Sequence, residues 1–203
     1  MLNNNLYIFE GYDGSGKSTL ISKVTAVLHN KTVRVIGRKN EPRLAAISQL
    51  IEDPQHPTSE DAEMRLRIAL ETERLHLISR LRSKFDFVFL DRGPISLRAW
   101  VSYYNLDLPK YSLLLEGIEK ALQGATMFLC RSDFETCWNR IERKENKSKK
   151  ELMGKQTNWQ WYNKYVSACE TFQNEGYRIV QVDTNCSIRQ SVDCVISNIA
   201  EFI

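Results

Sequence analysis

Residues 11–18 place the strongest constraint on what this chain can fold into, because they read Gly-Tyr-Asp-Gly-Ser-Gly-Lys-Ser. They match the pattern G-x-x-x-x-G-K-[ST] and directly follow a short apolar run at residues 6–9. The glycines let backbone N–H groups curl around a phosphate chain, and the next helix turns its positive dipole end toward the anion. The segment therefore predicts a phosphate-binding loop between a strand and a helix, with a nucleoside triphosphate as ligand.

The side chains of this loop have predicted roles of their own. We expect Lys17 to reach the β- and γ-phosphates of ATP and the Ser18 hydroxyl to ligate Mg²⁺. An incidental glycine-rich turn is the alternative, but the strand before the loop and the helix after it make that interpretation much weaker. The predicted cofactor-binding residues are Asp13, Gly14, Ser15, Gly16, Lys17, Ser18 and Thr19.

Composition excludes several classes of protein. Hydrophobic residues make up 42% of the 203 residues and charged residues 26%, which is an ordinary globular balance. A net charge of +3 is too small to predict stable binding to nucleic acid. Five cysteines without a C-x-x-C pair favour reduced thiols in a cytoplasmic protein. The N-terminus has no basic region and no stretch reaches membrane-span length, so we expect neither a signal peptide nor membrane association.

Short apolar runs alternate with helical patterns along the chain. The runs lie at 6–10, 33–37, 87–91, 126–130 and 178–182. Helices are predicted near 17–29, 43–52, 60–83, 95–104, 111–123, 134–145, 156–175 and 187–202. Continuous apolar strands are typical of a parallel sheet that is buried on both faces, so the alternation predicts a doubly wound α/β fold. Ligands of such sheets bind at the carboxyl ends of the strands.

The strand at 87–91 ends in a carboxylate that is followed at once by an arginine. An acid at this place in P-loop proteins holds Mg²⁺, so Asp91 is predicted to be a metal ligand together with Ser18. Arg92 can bind a phosphate through two N–H groups, which a lysine cannot do. A surface ion pair is the alternative. Asp13 is predicted to orient a sugar hydroxyl of the acceptor, with a solvated loop residue as the alternative.

Together these residues resemble the thymidylate kinase family, which is related to the deoxynucleoside kinases. The similarity starts at residues 9–19, continues through Glu41-Pro42 and Asp91-Arg92 with Ser96, and reaches residues 180–184. The resemblance implies a P-loop NTPase-type, five-stranded parallel sheet flanked by helices. It also implies transfer of the ATP γ-phosphate to a deoxynucleoside monophosphate. Residues 1–203 are accordingly expected to form one kinase domain.

The resemblance further implies a mobile lid at about residues 140–155. Residues 142–151 carry almost no apolar groups, which by itself predicts a solvated, mobile segment. One branch of the family takes its catalytic arginine from the lid. Arg140 and Arg143 are available for that role here, and a solvated helix end is the alternative for them.

Individual roles also follow from the resemblance. It implies that Asp13 contacts the deoxyribose 3′-hydroxyl, that Arg92 contacts the acceptor phosphate and that Arg74 lies near the acceptor base or its phosphate. The predicted catalytic residues are Lys17, Asp91, Arg92, Arg140 and Arg143. The predicted substrate-binding residues are Asp13, Arg38, Glu41, Leu70, Arg74, Arg92, Ser96, Trp100 and Tyr165.

The sequence departs from the family pattern where the acceptor base binds. The family's contiguous Arg-Glu-Pro is interrupted, which leaves Arg38 or Arg43 to replace its arginine. Leu70 stands where the family usually has an aromatic residue that stacks on the base. Val101 stands where the family has a polar residue, directly after the aromatic at Trp100. Apolar contacts discriminate between substrates by only about 1–3 kcal/mol. The predicted acceptor is therefore thymidylate or another, or modified, pyrimidine nucleotide.

Two other functions stay open at this stage. A deoxynucleoside kinase needs a general base for its hydroxyl acceptor, and Glu10 is the obvious carboxylate. A non-catalytic nucleotide-binding switch is less favoured, because no Asn-Lys-x-Asp follows the strand at 126–130 and both Lys17 and Arg92 are present. The expected partner is a small-molecule nucleotide, and the resemblance implies a homodimer.

Overall fold

The strands of the protein form one parallel sheet. The computed structural model describes residues 5–53, 59–106 and 108–200. The sheet order is β2-β3-β1-β4-β5, and every pairing within it is parallel. The predicted five-stranded sheet is thereby confirmed, with each strand within one residue of its expected bounds. The strands are β1 (Leu6–Glu10), β2 (Val33–Ile36), β3 (Phe87–Asp91), β4 (Thr126–Arg131) and β5 (Ile179–Asp183).

Eight α-helices accompany the sheet in the described part of the chain, and a 3₁₀ turn at Glu151–Met153 precedes the seventh. They alternate with the strands as predicted, which confirms the doubly wound α/β class. The predicted end of the last helix, beyond residue 200, lies outside the described residues. The helices are α1 (Lys17–Val27), α2 (Pro42–Glu52), α3 (Glu60–Leu81), α4 (Pro94–Tyr103), α5 (Leu108–Leu122), α6 (Phe134–Glu142), α7 (Lys155–Asn174) and α8 (Ile188–Ala200).

Alternate strand residues supply two hydrophobic clusters, one on each face of the sheet. Tyr7 and Phe9 of β1 pack into a cluster with α1 and α8, whereas Leu6 and Ile8 belong to a larger cluster with α3, α4 and α7. All four side chains are at most 2% exposed. Burial on both faces explains why the strand sequences are continuously apolar instead of alternating.

Local sequence signals mark the start of two of the helices, α3 and α6. Ser59 precedes α3 and accepts a hydrogen bond from the N–H of Ala62 at 3.2 Å. Asp133 precedes α6 and accepts one from the N–H of Thr136 at 2.8 Å. Such N-caps satisfy N–H groups that the first turn leaves unpaired.

The register of the sheet gathers the functional segments at one edge. Phe9 lies opposite Asp91 across β1 and β3, so the loop after β1 and the turn after β3 leave the sheet side by side. No helix in the described ranges is both long and apolar enough to cross a membrane. All five cysteines are free thiols.

Candidate active site

The phosphate-binding loop, residues 11–18, has a backbone that glycine makes possible. Gly14 and Gly16 have positive φ angles of 77° and 90°. A Cβ atom on Gly14 would lie 2.3 Å from the carbonyl oxygen of Cys137. Gly16 is also the N-cap of α1, so the loop ends at a helix N-terminus, where unpaired N–H groups favour an anion.

Lys17 is folded back onto this loop. Its Nζ donates to the carbonyl oxygens of Gly11 at 2.6 Å and Tyr12 at 2.9 Å, and the residue is only 6% exposed. Burial, and next the positive charge of Arg92, lower the pKa of Lys17 to about 8. A bound phosphate beside the ammonium would raise that pKa again, so the buried cation favours an anionic ligand.

A cleft of about 710 Å³ opens beside the loop. Ser18 and Asp91 both line it, Ser18 as an exposed residue and Asp91 as a half-buried one. A hydroxyl and a carboxylate are the hard oxygen ligands that suit Mg²⁺, which keeps several waters when proteins bind it. The described residues include no group of three or more His, Cys, Asp or Glu that could hold a metal ion. The hydroxyl of Ser18 and the carboxylate of Asp91 fit a partly hydrated Mg²⁺.

Arg92 lies in the cleft with a left-handed backbone, φ 70°. Its guanidinium pairs with Asp13, and its Nη1 lies 3.3 Å from the Ser96 hydroxyl. Burial opposes the charge of Arg92, but Asp13 and other nearby acids outweigh burial and raise its pKa. A left-handed conformation costs a non-glycine residue about 1–2 kcal/mol, so the surroundings must hold this turn in place.

Arg74, which is buried beneath the cleft, holds the turn at Arg92 in place. It is fully buried, and its Nη2 donates to the carbonyl oxygens of Asp91 and Arg92, each at 2.7 Å. Its Nη1 pairs with Glu71 at 2.8 Å. Because these groups occupy the guanidinium, Arg74 holds the turn and does not line the cleft. The implied contact with the acceptor base or phosphate is thus not found in this arrangement.

Two more arginines line the cleft, Arg38 from the sequence prediction and Arg67 of α3, which no motif singles out. Arg67 donates through Nε and Nη2 to Glu63, at 3.1 and 2.6 Å, and its Cζ lies 3.3 Å from the ring centroid of Trp100. The Nε of Arg38 and the Nη1 of Arg67 are buried without a partner. Burial is the largest cause that lowers both pKa values, that of Arg38 to about 9. Such cations favour an anionic or oxygen-rich ligand.

Helical spacing is the signal by which the sequence could have indicated Arg67. Arg67 precedes Arg74 by two helical turns on α3, and Glu63 lies one turn before Arg67. That spacing places all three on one face of the helix, the face that is buried. A buried arginine on such a face requires a partner or a ligand.

Aromatic rings form the wall of the cleft next to these arginines. The ring centroids of Trp100 in α4 and Trp161 in α7 lie 4.0 Å apart, and Tyr104 lies 5.4 Å from Trp161. Val101 is 1% exposed and belongs to the core, while Ser102 faces solvent. Helix α4 therefore offers ring surface to a base, but no hydrogen-bonding group where the family has a polar residue.

Like Arg74, the predicted substrate residues Glu41 and Leu70 do not line the main cleft. Glu41 forms an ion pair with Arg34, which stands on the edge strand β2. Leu70 is 1% exposed and borders only a narrow extension of the cleft near Trp100.

Residues 143–154, which connect α6 to α7 and are called the α6–α7 segment below, cover the cleft from the other side. Lys150 pairs with Asp13, and its Nζ lies 4.2 Å from the ring centroid of Tyr12. Glu151 is 4% exposed and accepts from the Ser148 N–H at 2.8 Å, as in a capping box. The expectation of a solvated segment is thus wrong for Lys150 and Glu151, because these contacts bury them. Residues 142–146 are exposed as expected.

Asn158 of α7 fastens this segment to the phosphate-binding loop. Its Nδ2 donates to the carbonyl oxygen of Lys150 at 3.0 Å. Its own carbonyl oxygen accepts from the Tyr12 hydroxyl at 2.8 Å. Asn158 is fully buried, so the position of Lys150 is fixed by the fold and not by its ion pair alone.

Neither of the two arginines that were predicted for the lid lines the cleft. Arg140 donates from Nη1 to the Gly14 carbonyl at 3.2 Å and from Nη2 to the Thr184 carbonyl at 2.9 Å. It braces the loop against the end of β5. Arg143 is exposed at the C-terminal end of α6, and its side chain has no hydrogen bond or ion pair with the described residues. Arg143 is therefore not brought to the cleft in this arrangement.

Glu10 occupies the floor behind the cleft and is fully buried. Its Oε1 accepts from the N–H groups of Gly93 at 2.8 Å and Ser96 at 3.2 Å. Its Oε2 accepts from the Ser96 hydroxyl at 2.7 Å and the Tyr165 hydroxyl at 3.2 Å. Glu10 thus caps α4, and Tyr165 lies beside it without lining the cleft, so it is not positioned to contact an acceptor there.

Comparison with known proteins identifies the family. The family model described as thymidylate kinase matches residues 9–195. The thymidylate kinase of Chromohalobacter salexigens is 29% identical over 144 residues, which are 66% of this chain and 67% of that protein. Two solved structures share the fold. The thymidylate kinase of Candida albicans has a TM-score of 0.68 and 20% identity, and covers 98% of this chain and 92% of its own. The deoxyadenosine kinase of M. mycoides has a TM-score of 0.67 and 15% identity, with 97% and 99% covered.

The family match extends from the end of β1 into α8, so it includes every element that contributes a side chain to the cleft. The predicted resemblance is confirmed: this chain belongs to the thymidylate kinase family, whose members are nucleoside monophosphate kinases.

Proposed function

We propose that the cleft beside the phosphate-binding loop holds both substrates of a deoxynucleoside monophosphate kinase. The family provides the reaction, in which the γ-phosphate of ATP moves to the phosphate of a deoxynucleoside monophosphate. The observation that carries the assignment is the convergence of Arg38, Arg67 and Arg92 on this one cleft. Three guanidinium groups suit a doubly charged acceptor phosphate, whereas a neutral sugar hydroxyl needs none of them.

On the donor side, the loop backbone and Lys17 bind the phosphates of ATP. Ser18 and Asp91 would hold Mg²⁺, which when bound supplies positive charge next to the phosphates. The residues of the chain contribute alignment and charge, since phosphoryl transfer requires little covalent chemistry from a protein.

On the acceptor side, Arg92 binds the acceptor phosphate, Asp13 orients the sugar 3′-hydroxyl and the ring of Trp100 contacts the base. The guanidinium groups offset the repulsion between two anionic substrates. A nucleotide phosphate is already ionised, so the reaction needs no general base. The commitment of both Glu10 oxygens to N–H and O–H donors supports this assignment, because a base needs a free oxygen.

The acceptor is thymidylate or another, or modified, pyrimidine deoxynucleoside monophosphate. The wall that Trp100, Tyr104 and Trp161 form would contact a base through ring surface. Discrimination by such contacts is limited to about 1–3 kcal/mol. We therefore expect several pyrimidine monophosphates to be used.

The test is a coupled ADP-release assay with Mg-ATP and a panel of nucleosides and nucleoside monophosphates, including modified pyrimidines. We expect turnover with pyrimidine deoxynucleoside monophosphates and none with nucleosides. The Lys17→Ala variant serves as the control that measures background ADP release. Turnover with nucleosides alone would favour the second candidate, a deoxynucleoside kinase with Glu10 as base, whose fold the deoxyadenosine kinase of M. mycoides shares. No ADP release above background with any nucleoside or nucleoside monophosphate of the panel would contradict both assignments.

We also propose that residues 1–203 form one kinase domain and that two copies associate. Leu113 and Leu114 of α5 are 81% and 54% exposed, which gives this helix an apolar face for a second copy. Light scattering after size exclusion tests the homodimer, which a monomeric mass would contradict. A cytoplasmic location stays a prediction.

A further inference from the structure

We infer that Lys150 is a catalytic residue for phosphoryl transfer, and that Asp13 holds its ammonium group beside the reaction centre until the acceptor arrives. The inference rests on the proposed function, because it concerns the same cleft and the same acceptor. It assigns the role to a lysine, whereas the resemblance implied an arginine of the lid, Arg140 or Arg143.

The position of Lys150 is the first argument. Its side chain is only 12% exposed and its Nζ pairs with Oδ2 of Asp13, whose Oδ1 pairs with Arg92. One carboxylate thus holds two cations next to each other. Although burial acts to raise the pKa of Asp13, Arg92 and Lys150 together hold that pKa well below its usual value. Asp13 and Lys150 are therefore both ionised, and they lie where the acceptor phosphate is proposed to bind.

The second argument is that neither arginine of the α6–α7 region takes this place. Lys144, Lys147 and Lys149 also line the cleft, but among the described ion pairs only Lys150 of this segment pairs with an acid of the phosphate-binding loop. The guanidinium of Arg140 is engaged with the Gly14 and Thr184 carbonyl oxygens. Arg143 is exposed, and its side chain has no ion pair or hydrogen bond within the described ranges. Lys150 instead packs its ammonium 4.2 Å from the ring centroid of Tyr12 and 5.4 Å from that of Trp161. These rings orient the cation toward the cleft.

The third argument is that the fold fixes the main chain at Lys150. Asn158 holds the backbone of Lys150 and is itself held by the Tyr12 hydroxyl, so the lysine reaches the cleft from an anchored main chain. Burial is the main cause that lowers the pKa of Lys150, and it outweighs the opposing effect of Asp13. An ammonium that one carboxylate compensates incompletely gains by moving to a more highly charged phosphate.

The chemical step keeps this lysine protonated throughout. An ionised oxygen of the acceptor phosphate gives its electron pair to the γ-phosphorus of ATP. The bond between that phosphorus and the β,γ-bridging oxygen breaks, and the oxygen keeps the electron pair as ADP leaves. Lys150 donates hydrogen bonds to the transferring phosphoryl group, where negative charge is spread over the oxygens. The acceptor's 3′-hydroxyl donates to Asp13 in its place, which releases the ammonium when the acceptor is bound.

The test compares two variants of the full-length protein, Lys150→Met and Lys150→Arg. Met keeps the apolar stem against Tyr12 and removes the charge, while Arg keeps the charge. We expect kcat to fall about 100-fold or more in Lys150→Met, as for the loss of one electrostatic donor. The KM for ATP should change less than about threefold, because the loop binds ATP. Lys150→Arg should keep kcat within about tenfold of the wild type.

Lys155→Ala is the matched control. It removes the same charge from the start of α7, where Lys155 forms an exposed ion pair with Glu135 at 2.7 Å. It should leave kcat unchanged. Thermal unfolding of each variant separates a loss of fold from a loss of chemistry.

Three results would overturn the inference. One is a kcat in Lys150→Met within about threefold of the wild type. Another is equal loss in the Met and Arg variants, which indicates packing and not charge. The third is a loss that Arg143→Ala reproduces, because the catalytic cation would then be the wrong residue. Each is distinct from failure of the proposed function, in which the wild type itself would not phosphorylate a nucleoside monophosphate.

Discussion

The proposed donor side and the proposed acceptor side of the cleft are built in different ways. The donor side is a continuous stretch, residues 11–18, whose shape depends on backbone angles at Gly14 and Gly16. The acceptor side is a group of charged and aromatic side chains from the loop between β2 and α2, the turn after β3, α3, α4, α7 and the α6–α7 segment. One side is thus a local backbone structure, and the other exists only after distant elements pack together.

Because of this difference, the two sides should be sensitive to different kinds of substitution. A loop that binds phosphate through its backbone is sensitive to a Cβ atom added at its glycines. A cluster of ion pairs depends on every partner, since removal of one leaves another charge buried and unpaired. Asp13 belongs to both sides, because it lies in the loop and pairs with Arg92 and Lys150.

The largest expected effect is on the donor side. Lys17→Ala removes the ammonium that is proposed to reach the β- and γ-phosphates, and we expect kcat to fall by about 10²–10³. Steady-state ADP release with saturating acceptor measures it. Lys23→Ala, on the exposed face of α1, is the control and should behave as the wild type. A loss below about tenfold would mean that backbone geometry alone accounts for the donor side.

Arg92→Ala is expected to damage the acceptor side selectively. A charged hydrogen bond contributes about 1.5–3 kcal/mol, so the KM for the acceptor should rise by about 10–100-fold and kcat should also fall. The KM for ATP should stay nearly constant. Initial rates over a grid of both substrates separate these constants. An equal rise in both KM values would show that the two sides are not separate units.

Gly14→Ala tests the backbone character of the donor side, with Gly176→Ala as the matched control. Both glycines have a positive φ, 77° and 80°, so each substitution costs about 1–2 kcal/mol. Only the Cβ at Gly14 meets another atom, the Cys137 carbonyl oxygen at 2.3 Å, whereas nothing lies within 4 Å at Gly176. Gly14→Ala should therefore lose about 1–3 kcal/mol more in urea unfolding. Equal losses would show that the close approach is relieved without cost.

The smallest expected effect is a pH dependence. Burial and Arg92 lower the pKa of Lys17 to about 8 in the free protein, so the ammonium is lost as pH rises through that value. The neutral amine does not attract phosphate, and kcat/KM for ATP should fall by at most about tenfold per pH unit above pH 8. Bound phosphates raise the pKa of Lys17, so kcat at saturating ATP should stay flat over that range. A parallel fall in kcat would assign the titration to another group.

Much of the fold follows from the sequence, because strand and helix periods are local properties. The continuous apolar runs identified all five strands, and the glycine pattern identified the loop that joins β1 to α1. Asp91 and Arg92 were placed correctly at the edge of the sheet for the same reason, since a strand end is visible in the chain itself.

Parts of the site were not visible in the chain. Arg67 and Lys150 had no motif, and their importance depends on neighbours that pack against them, Trp100 for one and Asp13 for the other. Arg74 stands at the expected place in α3, yet its direction is decided by the carbonyl oxygens that the turn at Arg92 exposes. Such contacts depend on how α3 lies against the sheet, which residue spacing does not encode.

The sequence by itself therefore determined the doubly wound sheet, the phosphate-binding loop and the family of this protein. These features are written in short stretches whose backbone geometry is fixed by glycine, by period and by strand ends. Only the tertiary structure decided which cations converge on the cleft, and that Glu10 caps α4. The physical reason is that a buried charge takes its role from whatever partner the packing brings within hydrogen-bond distance.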